Sequence, residues 1–180
     1  NMSGKAIVKA AIFDKGKMMG GISTKSININ KATGMKVQYI IPFSDRYKGH
    51  GDRTMVNGIS GSGDFNDGQW QGFEGTDMDV VIDLGSETKI SSISSGYMAA
   101  VGSWIFLPQS VEYSLSSDGT NFAAPQVIIT EVMPEEQGKR IETYFTSFPE
   151  VTARFVRVVA RGQITCPPWH AGAGNNAWLF

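Results

Sequence analysis

The stretch from residue 103 to residue 122, SWIFLPQSVEYSLSSDGTNF, constrains the fold more than any other part of the chain. In it Val111, Tyr113 and Leu115 alternate with polar residues, which is the period-two pattern of a β-strand with one buried face. Asp118 and Gly119 follow as a tight turn, because glycine tolerates a positive φ and aspartate accepts hydrogen bonds from the backbone after it. The pattern predicts an all-β scaffold, in which loops normally carry the function.

The other apolar segments are also short, and turn residues separate them. About eight strands follow residue 34, which favours a β-sandwich or jelly roll. Those segments are 37–41, 79–84, a strand opening at Ile90, 111–115, 127–132, 140–145, 154–160 and a last strand from Ala177. Earlier strands are predicted at 5–13, 18–23 and 24–30. We interpret residues 1–33 as the last strands of a preceding β-sandwich or a linker module, and residues 34–180 as the main domain.

Composition excludes several classes of protein. Lys and Arg number 16 against 17 Asp and Glu, so the net charge of −1 gives no support for a nucleic-acid or anionic-membrane partner. The single cysteine, Cys166, excludes an internal disulfide and a cysteine-based zinc site. The longest apolar stretch, 97–108, is shorter than the roughly 20 residues that a spanning helix needs. The first residues read like the middle of a longer protein, so a missing signal peptide says nothing about location.

Three separated segments carry a resemblance to a known family: WQGFEGTDMDVVIDLG, SWIFLPQSVEYSLSSDGTNF and ARFVRVVA, in that order. Together they resemble the discoidin domain, also called the coagulation-factor five/eight type C domain, and more narrowly its bacterial carbohydrate-binding modules. The resemblance covers roughly residues 35–180. WQGF and PPWHAGAG are similar to modules appended to chitobiase-type β-N-acetylhexosaminidases secreted by gut bacteria. Residues 1–33 resemble the end of the chitobiase-associated β-sandwich that often precedes such a module.

The resemblance implies an eight-stranded jelly roll, a structural calcium ion and glycan binding by loops at one end. In the family a carboxylate precedes a glycine in the calcium loop, and a Thr or Ser follows five residues later. Asn57 and Ser62 occupy those places here, so one negative charge is missing. Calcium prefers hard oxygen ligands, which a glycine-rich loop can present, but an ordinary turn-rich loop would have the same composition.

A sugar site needs an aromatic side chain to stack on the ring and a few planar polar groups to bond its hydroxyls. Three loops that meet at one end in the family supply such residues: Asp45, Arg46, Tyr47 and His50; Tyr97 and Trp104; and Arg161, Trp169, His170 and Asn175. We expect Trp169 or Tyr47 to stack on the sugar, while Arg46, His50 and His170 bond its hydroxyls. For Trp104, which lies in an apolar run, a buried structural position is the favoured alternative.

Catalysis finds little support in the sequence. There is no G-x-S-x-G motif for a serine hydrolase. Cys166 is separated from His170 by two prolines, which favours a buried cysteine over a nucleophile. Asp77 and Asp79 form a possible carboxylate pair, but both stand at the entrance of a strand, where capping is a simpler role.

The sequence therefore favours a non-catalytic carbohydrate-binding module of a glycoside hydrolase. The expected partners are a glycan of galactose, N-acetylgalactosamine or N-acetylglucosamine type and an adjacent catalytic domain. The expected location is secreted, periplasmic or attached to the outer membrane. The alternative is a structural or protein-interaction module that packs against its neighbouring domain.

Overall fold

Antiparallel β-strands form the framework of the protein in a computed structural model, which describes residues 4–180. The strands are β1 (Gly4–Asp14), β2 (Lys17–Ile29), β3 (Lys36–Tyr39), β4 (Phe73–Glu74), β5 (Met78–Ala100), β6 (Ser110–Ser116), β7 (Gln126–Ile129), β8 (Lys139–Arg161) and β9 (Trp178–Leu179). Short 3₁₀ turns occupy Asp45–Tyr47, Gly51–Val56, Val101–Ser103 and Pro134–Glu136. The all-β prediction is confirmed. No helix in the described part of the chain is long and apolar enough to cross a membrane.

The largest sheet has the strand order β3-β5-β8-β6-β7, and β4 pairs with β9 beside it. The two long strands β5 and β8 pair with each other along most of their length. Their register is interrupted twice, between Asp83 and Thr88 and between Ile90 and Ser92. Such irregularities bend a strand and increase its twist, so one long strand can serve two layers.

The side chain of Tyr113 demonstrates that the β5–β8 pair folds over on itself. Tyr113 lies on β6 and is opposite Val158, in the second half of β8. Its hydroxyl nevertheless lies 2.6 Å from Ser95 Oγ and donates to the carbonyl of Tyr144 at 3.0 Å. Ser95 and Tyr144 are opposite each other in the other half of the pair. The two halves therefore form facing layers, with β6 on one side and residues 92–98 of β5 on the other.

The main core lies between these layers. Its buried members come from strands of both layers and include Val80, Tyr97, Val111, Tyr113, Tyr144, Val158 and Leu179. A second cluster, Trp70, Met98, Ala100, Ile105, Trp178 and Phe180, closes one end of the sandwich. This end is where the loops discussed below meet.

Several strand predictions need correction. The two predicted strands 18–23 and 24–30 form one strand, β2. The predicted strands on either side of residue 87 are both parts of β5, and those at 140–145 and 154–160 are both parts of β8. Gly20 in β2 has a φ of 83°, which lets the strand continue through an irregularity rather than stop. Short apolar runs show where strands lie, but turn residues between them do not distinguish a bend from a break.

The first two strands form a hairpin that is a sheet of its own. Asp14 pairs with Lys17 at its tip, and Gly16 has the positive φ of 80° that the turn requires. Large apolar side chains along the hairpin are exposed: Ile7, Val8, Ile12, Phe13, Met18, Met19 and Ile22. A two-stranded hairpin has little stability in water without a partner surface.

Candidate binding face

The loops at the end of the sandwich are joined by contacts with β9. The Trp178 N–H donates to the Trp104 carbonyl at 2.8 Å, which connects β9 with the turn after β5. The ring of Tyr47, in the first loop, lies edge-on to the ring of Trp178 with centroids 5.0 Å apart. Loop 161–176 reaches the same turn through His170, whose Nε2 lies 2.8 Å from the Val101 carbonyl. The three predicted loops therefore meet at one end of the molecule.

A shallow depression of about 420 Å³ lies between the first two loops. Arg46, Tyr47 and Trp104 line it from the predicted set. The other lining residues are Phe65, Glu74, Ser103, Ile105, Trp178 and Phe180. An exposed indole, a cation and a carboxylate around one shallow depression are the groups that can stack on a sugar ring and bond its hydroxyls.

Arg46 is positioned by the aromatic rings beneath it. Its guanidinium carbon is 5.3 Å from the centroid of Tyr47 and 5.8 Å from that of Trp178. Both distances are within the range of cation–π attraction. Within residues 4–180 neither Arg46 nor Glu74 makes an ion pair. Both side chains are exposed at the depression, where their charged ends can reach a ligand.

Trp104 corrects the expectation that it would be buried in the apolar run. Its backbone has a φ of 66°, and 38% of the residue is exposed. The left-handed backbone turns the indole away from the core that Ile105, Phe106 and Leu107 enter. The hydrophobic pattern of the sequence does not predict that one residue within a run of large apolar side chains has a left-handed backbone conformation.

Trp169 and His170 form a second exposed feature on the neighbouring loop. Trp169 is 44% exposed, and its ring lies edge-on to Phe106 and to His170. His170 accepts a hydrogen bond at Nδ1 from the Gly172 N–H at 3.0 Å, while its Nε2 faces the Val101 carbonyl. Since a carbonyl only accepts, these contacts assign the proton to Nε2. Both ring nitrogens thus fasten the loop, which corrects the expectation that His170 bonds a sugar.

Two of the predicted site residues are placed where they cannot line the depression. Tyr97 is only 2% exposed and packs in the core against Tyr144. Burial raises the pKa of its phenol. It was predicted to be a loop residue, but β5 continues past it to Ala100. Arg161 is engaged at the end of β8 with Glu112 at 2.8 Å and Asp77 at 3.0 Å.

The remaining polar candidates, Asp45, His50 and Asn175, do not line the depression. Asp45 is exposed in the first 3₁₀ turn, which Ser44 caps by accepting from the Arg46 N–H. His50 faces the following loop, with its Nε2 2.9 Å from Nε2 of Gln69. Asn175 donates to the Gly172 carbonyl at 3.0 Å, so its amide stabilises loop 161–176.

The predicted calcium residues serve their own loop. Asn57 Oδ1 accepts from the Ile59 N–H at 2.7 Å, and Ser62 Oγ accepts from the Asp64 N–H at 3.2 Å. Among residues 4–180 no group of three or more His, Cys, Asp or Glu side chains is arranged to hold a metal ion. These side chains fit Asx- and Ser-type turns better than a carboxylate-rich calcium site.

The groups that could have suggested catalysis have structural roles. Cys166 is buried, and desolvation raises the pKa of its thiol, so the nucleophilic thiolate is disfavoured. Asp79 forms a two-bond ion pair with Arg157, at 2.9 and 2.6 Å. Asp77 holds Arg161 and accepts from the Gly162 N–H at 2.9 Å. The two carboxylates are therefore parts of separate ion pairs, which corrects the expectation of strand capping.

The sequence analysis missed Glu74. It ends β4 and lines the depression that Trp104 also lines. Its one visible signal was that it is the single charged residue between positions 68 and 75. Nothing in the spacing of the sequence indicated that Glu74 would line the same depression as Arg46.

No family model matches this chain, and no curated protein matches it. Similar solved structures include a fucose-binding module of Streptococcus pneumoniae, 14% identical with a TM-score of 0.52, covering 93% of this chain and 94% of that one. The lectin domain of lectinolysin, in complex with Lewis B antigen, is 12% identical with a TM-score of 0.52 over 84% and 92%. A chitosan-binding module of a Paenibacillus sp. IK-5 chitosanase/glucanase is 14% identical with a TM-score of 0.50 over 84% and 95%.

At these identities the comparisons establish the fold. The chain has the all-β sandwich fold of these modules, as the sequence predicted. In this chain the first two of the three loops line the depression that contains Arg46 and Trp104, together with residues of β4 and β9.

Proposed function

We propose that this protein is a non-catalytic carbohydrate-binding module whose site is the depression between Arg46 and Trp104. The observation that carries the proposal is the grouping of an exposed indole, a carboxylate and a guanidinium that forms no ion pair with residues 4–180, at the end where three loops meet. The similar modules are described as binding fucose, Lewis B antigen and chitosan. In this chain Trp104 would stack on a sugar ring, while Arg46 and Glu74 would bond its hydroxyls.

A site of this depth buries few groups, so binding is expected to be weak, with a Kd of about 0.1–1 mM. Tethering a module to an enzyme still raises the local concentration of the substrate, and tight binding is unnecessary for that effect. The resemblance of WQGF and PPWHAGAG supports a chitobiase-type β-N-acetylhexosaminidase of a gut bacterium as the parent enzyme. The protein would then act outside the cytoplasm.

Isothermal titration at millimolar concentrations of galactose, fucose, N-acetylgalactosamine, N-acetylglucosamine and chitobiose tests the proposal. We expect heat of binding with at least one sugar, and its loss in a Trp104→Ala variant. Trp169→Phe is the control variant, because Trp169 is exposed and the substitution keeps an aromatic ring at that position. Trp70→Phe would be unsuitable, because Trp70 is buried. Flat heats with all five sugars would contradict the proposal.

The exposed β1–β2 hairpin favours an additional role in contacts between domains. We propose that its apolar side chains, among them Val8 and Ile12, pack against a preceding β-sandwich, with residues 1–33 belonging to that unit. The polar surface of a soluble domain rarely carries so continuous an apolar strip. Limited proteolysis of the chain alone tests this proposal. Cleavage should be fastest between residues 4 and 29, and a hairpin that resists the protease would contradict the proposal.

Calcium remains a prediction, although Asn57 and Ser62 are engaged within their loop. Thermal melting in 5 mM calcium and in EDTA distinguishes a calcium-binding loop from a loop held only by its own hydrogen bonds. A structural ion at this loop raises Tm in calcium, because a ligand that binds only the folded state stabilises it. Equal Tm values would assign the loop to turn chemistry alone.

A further inference from the structure

His170 is connected through both of its ring nitrogens to the parts of the fold that hold Trp104. Its Nε2–H donates to the Val101 carbonyl at 2.8 Å, and the same carbonyl accepts from the Trp104 N–H at 2.8 Å. Its Nδ1 accepts from the Gly172 N–H at 3.0 Å. The Trp104 indole packs on Gly172 with no space for a Cβ between them. His170 does not line the depression, yet it fixes the backbone of Trp104 and the surface on which the indole lies.

These contacts require the neutral form of the imidazole. The lone pair of Nδ1 accepts from the Gly172 N–H, and a second proton on the ring would occupy that lone pair. Because Gly172 is buried, its N–H would then lose its acceptor without regaining water. Within residues 4–180 no carboxylate forms an ion pair with His170, so the charged ring would gain no compensating partner. Protonation therefore opposes the arrangement that supports Trp104.

The groups around the ring leave the histidine as the titrating group of this loop at mildly acidic pH. The rings of Phe106 and Trp169 lie edge-on to it, each with its centroid 5.6 Å away. Burial raises the pKa of the Cys166 thiol, which therefore stays uncharged. Arg161, at the start of the loop, forms its own ion pairs. Histidine is the residue type that normally changes charge between pH 5 and pH 8. The other charged residues of the adjoining segments stand near Gly138, whose carbonyl accepts from the Val101 N–H: Glu135, Glu136, Lys139 and Arg140.

We propose that His170 is a positioning residue for the binding site and makes sugar binding depend on pH. In its neutral form it holds Gly172 and Val101, and through them the indole of Trp104. On protonation the bond to Gly172 is lost, the loop moves, and the indole no longer presents a fixed face to a sugar ring. The module then binds its glycan at neutral pH and releases it in acid. This consequence for binding rests on the proposed function, whereas the coupling between His170 and Trp104 needs no sugar.

An NMR titration of the sugar-free chain from pH 7.5 to pH 5.0 tests the coupling. We expect the Gly172 amide proton to shift upfield as its hydrogen bond is lost. The indole N–H of Trp104 should shift with the same midpoint as the ring protons of His170. The indole N–H of Trp70, which donates to the Ser62 carbonyl at 2.9 Å, is the internal control and should not follow that midpoint. A His170 ring that titrates without moving the Gly172 and Trp104 signals would overturn the inference, and so would a ring that stays neutral to pH 5.0.

Titration calorimetry at pH 7.5 and pH 5.0 measures the consequence for sugar binding. We expect the Kd of the parent chain to rise about fivefold or more in acid, because the binding-competent arrangement becomes a minor state. His170→Asn is the conservative variant, since an asparagine side chain accepts from the N–H two residues on and does not titrate. It should keep most of the affinity at both pH values. His170→Ala, which offers no acceptor to Gly172, should bind weakly at both.

The other titratable groups are controlled by comparison between variants. His50→Gln removes the second of the two histidines and should leave the pH dependence of the parent chain unchanged. Glu74 is present in all of these chains, so its own titration cannot produce a difference between them.

An equal rise of Kd in acid for the parent and for His170→Asn would overturn the inference, because the pH dependence would then arise elsewhere. Flat heats with every sugar, together with a joint titration of His170 and Trp104, would contradict the proposed function but support the coupling. If His170→Asn fails to fold, the NMR titration of the parent chain still decides the question.

Discussion

Trp104 lies against Gly172 so closely that a Cβ on the glycine would stand 2.6 Å from Cε2 of the indole. Gly172 is buried, and it belongs to the loop that His170 fastens to the Val101 carbonyl. The missing side chain is therefore what lets loop 161–176 support the indole that lines the depression. One loop supplies the aromatic group and another loop holds it in place, so the geometry of the site depends on both.

Gly172→Ala should displace the indole of Trp104 and weaken sugar binding. A contact below 3.0 Å cannot persist, so the ring or the loop must move, and overpacking of this kind costs about 1–3 kcal/mol. The ¹⁹F resonance of fluorotryptophan at position 104 should shift, and Kd should rise severalfold. Gly102→Ala is the matched control, because a Cβ there meets nothing within 4 Å. Similar shifts in both variants would contradict the supporting role of Gly172.

Arg46→Ala should lower sugar affinity about tenfold while leaving Tm nearly unchanged. The guanidinium stacks on Tyr47 and makes no ion pair within residues 4–180, so its removal leaves no buried charge unpaired. Arg46→Lys should restore little of the binding, because the planar fork and the stacking are lost. Titration calorimetry measures the affinity and thermal melting measures the stability. A large fall in Tm for Arg46→Ala would assign the residue to the fold instead.

Much of the fold could be predicted from local patterns. The alternation at Val111, Tyr113 and Leu115 marks β6 correctly, and the turn at Asp118 and Gly119 forms as expected, with Gly119 at a φ of 76°. The Asn121 side chain and the backbone N–H groups of Asn121 and Thr120 donate to the Asp118 carboxylate and lower its pKa. Such features involve neighbours in sequence, so the sequence displays them directly.

The site was less predictable because it depends on contacts between distant loops. Arg46, Tyr47 and Trp104 were predicted as site residues because their residue types suit a sugar, and all three line the depression. Tyr97 has an equally suitable side chain, but the continuation of β5 buries it. Glu74 enters the site through the pairing of β4 with β9, a contact between residues about 100 positions apart that no local pattern encodes.

Tyr113→Phe should destabilise the protein by about 1–3 kcal/mol, because it deprives the Ser95 hydroxyl and the Tyr144 carbonyl of a buried partner. Urea denaturation measures the change. Tyr47→Phe is the matched control, since within residues 4–180 the Tyr47 hydroxyl makes no hydrogen bond, and its midpoint should stay almost unchanged. A double-mutant cycle with Ser95→Ala should give a coupling of about 0.5 kcal/mol or more. Additive effects would mean that the two hydroxyls do not act together.

Stability should fall as the pH rises above about 10. Burial raises the pKa of the Tyr39 phenol to about 12 and raises the pKa values of Tyr97, Tyr113 and Tyr144. In the unfolded chain these phenols ionise near pH 10, so above that pH the folded state holds more protons and the free energy of unfolding decreases. For Tyr39 the window runs from about pH 10 to about pH 12, and below pH 10 its contribution is fully present.

Urea midpoints at pH 8, 9, 10 and 11 measure this dependence, and phenolate absorbance at 295 nm identifies the ionising groups. We expect a nearly constant midpoint up to pH 9 and a steep decline from pH 10 to pH 11, with the phenolates of Tyr97, Tyr113 and Tyr144 appearing only as the chain unfolds. Tyr39→Phe should make the decline shallower, because phenylalanine does not titrate. Full ionisation of all five tyrosines at pH 10.5 in a chain that is still folded would contradict the buried positions of Tyr97 and Tyr113.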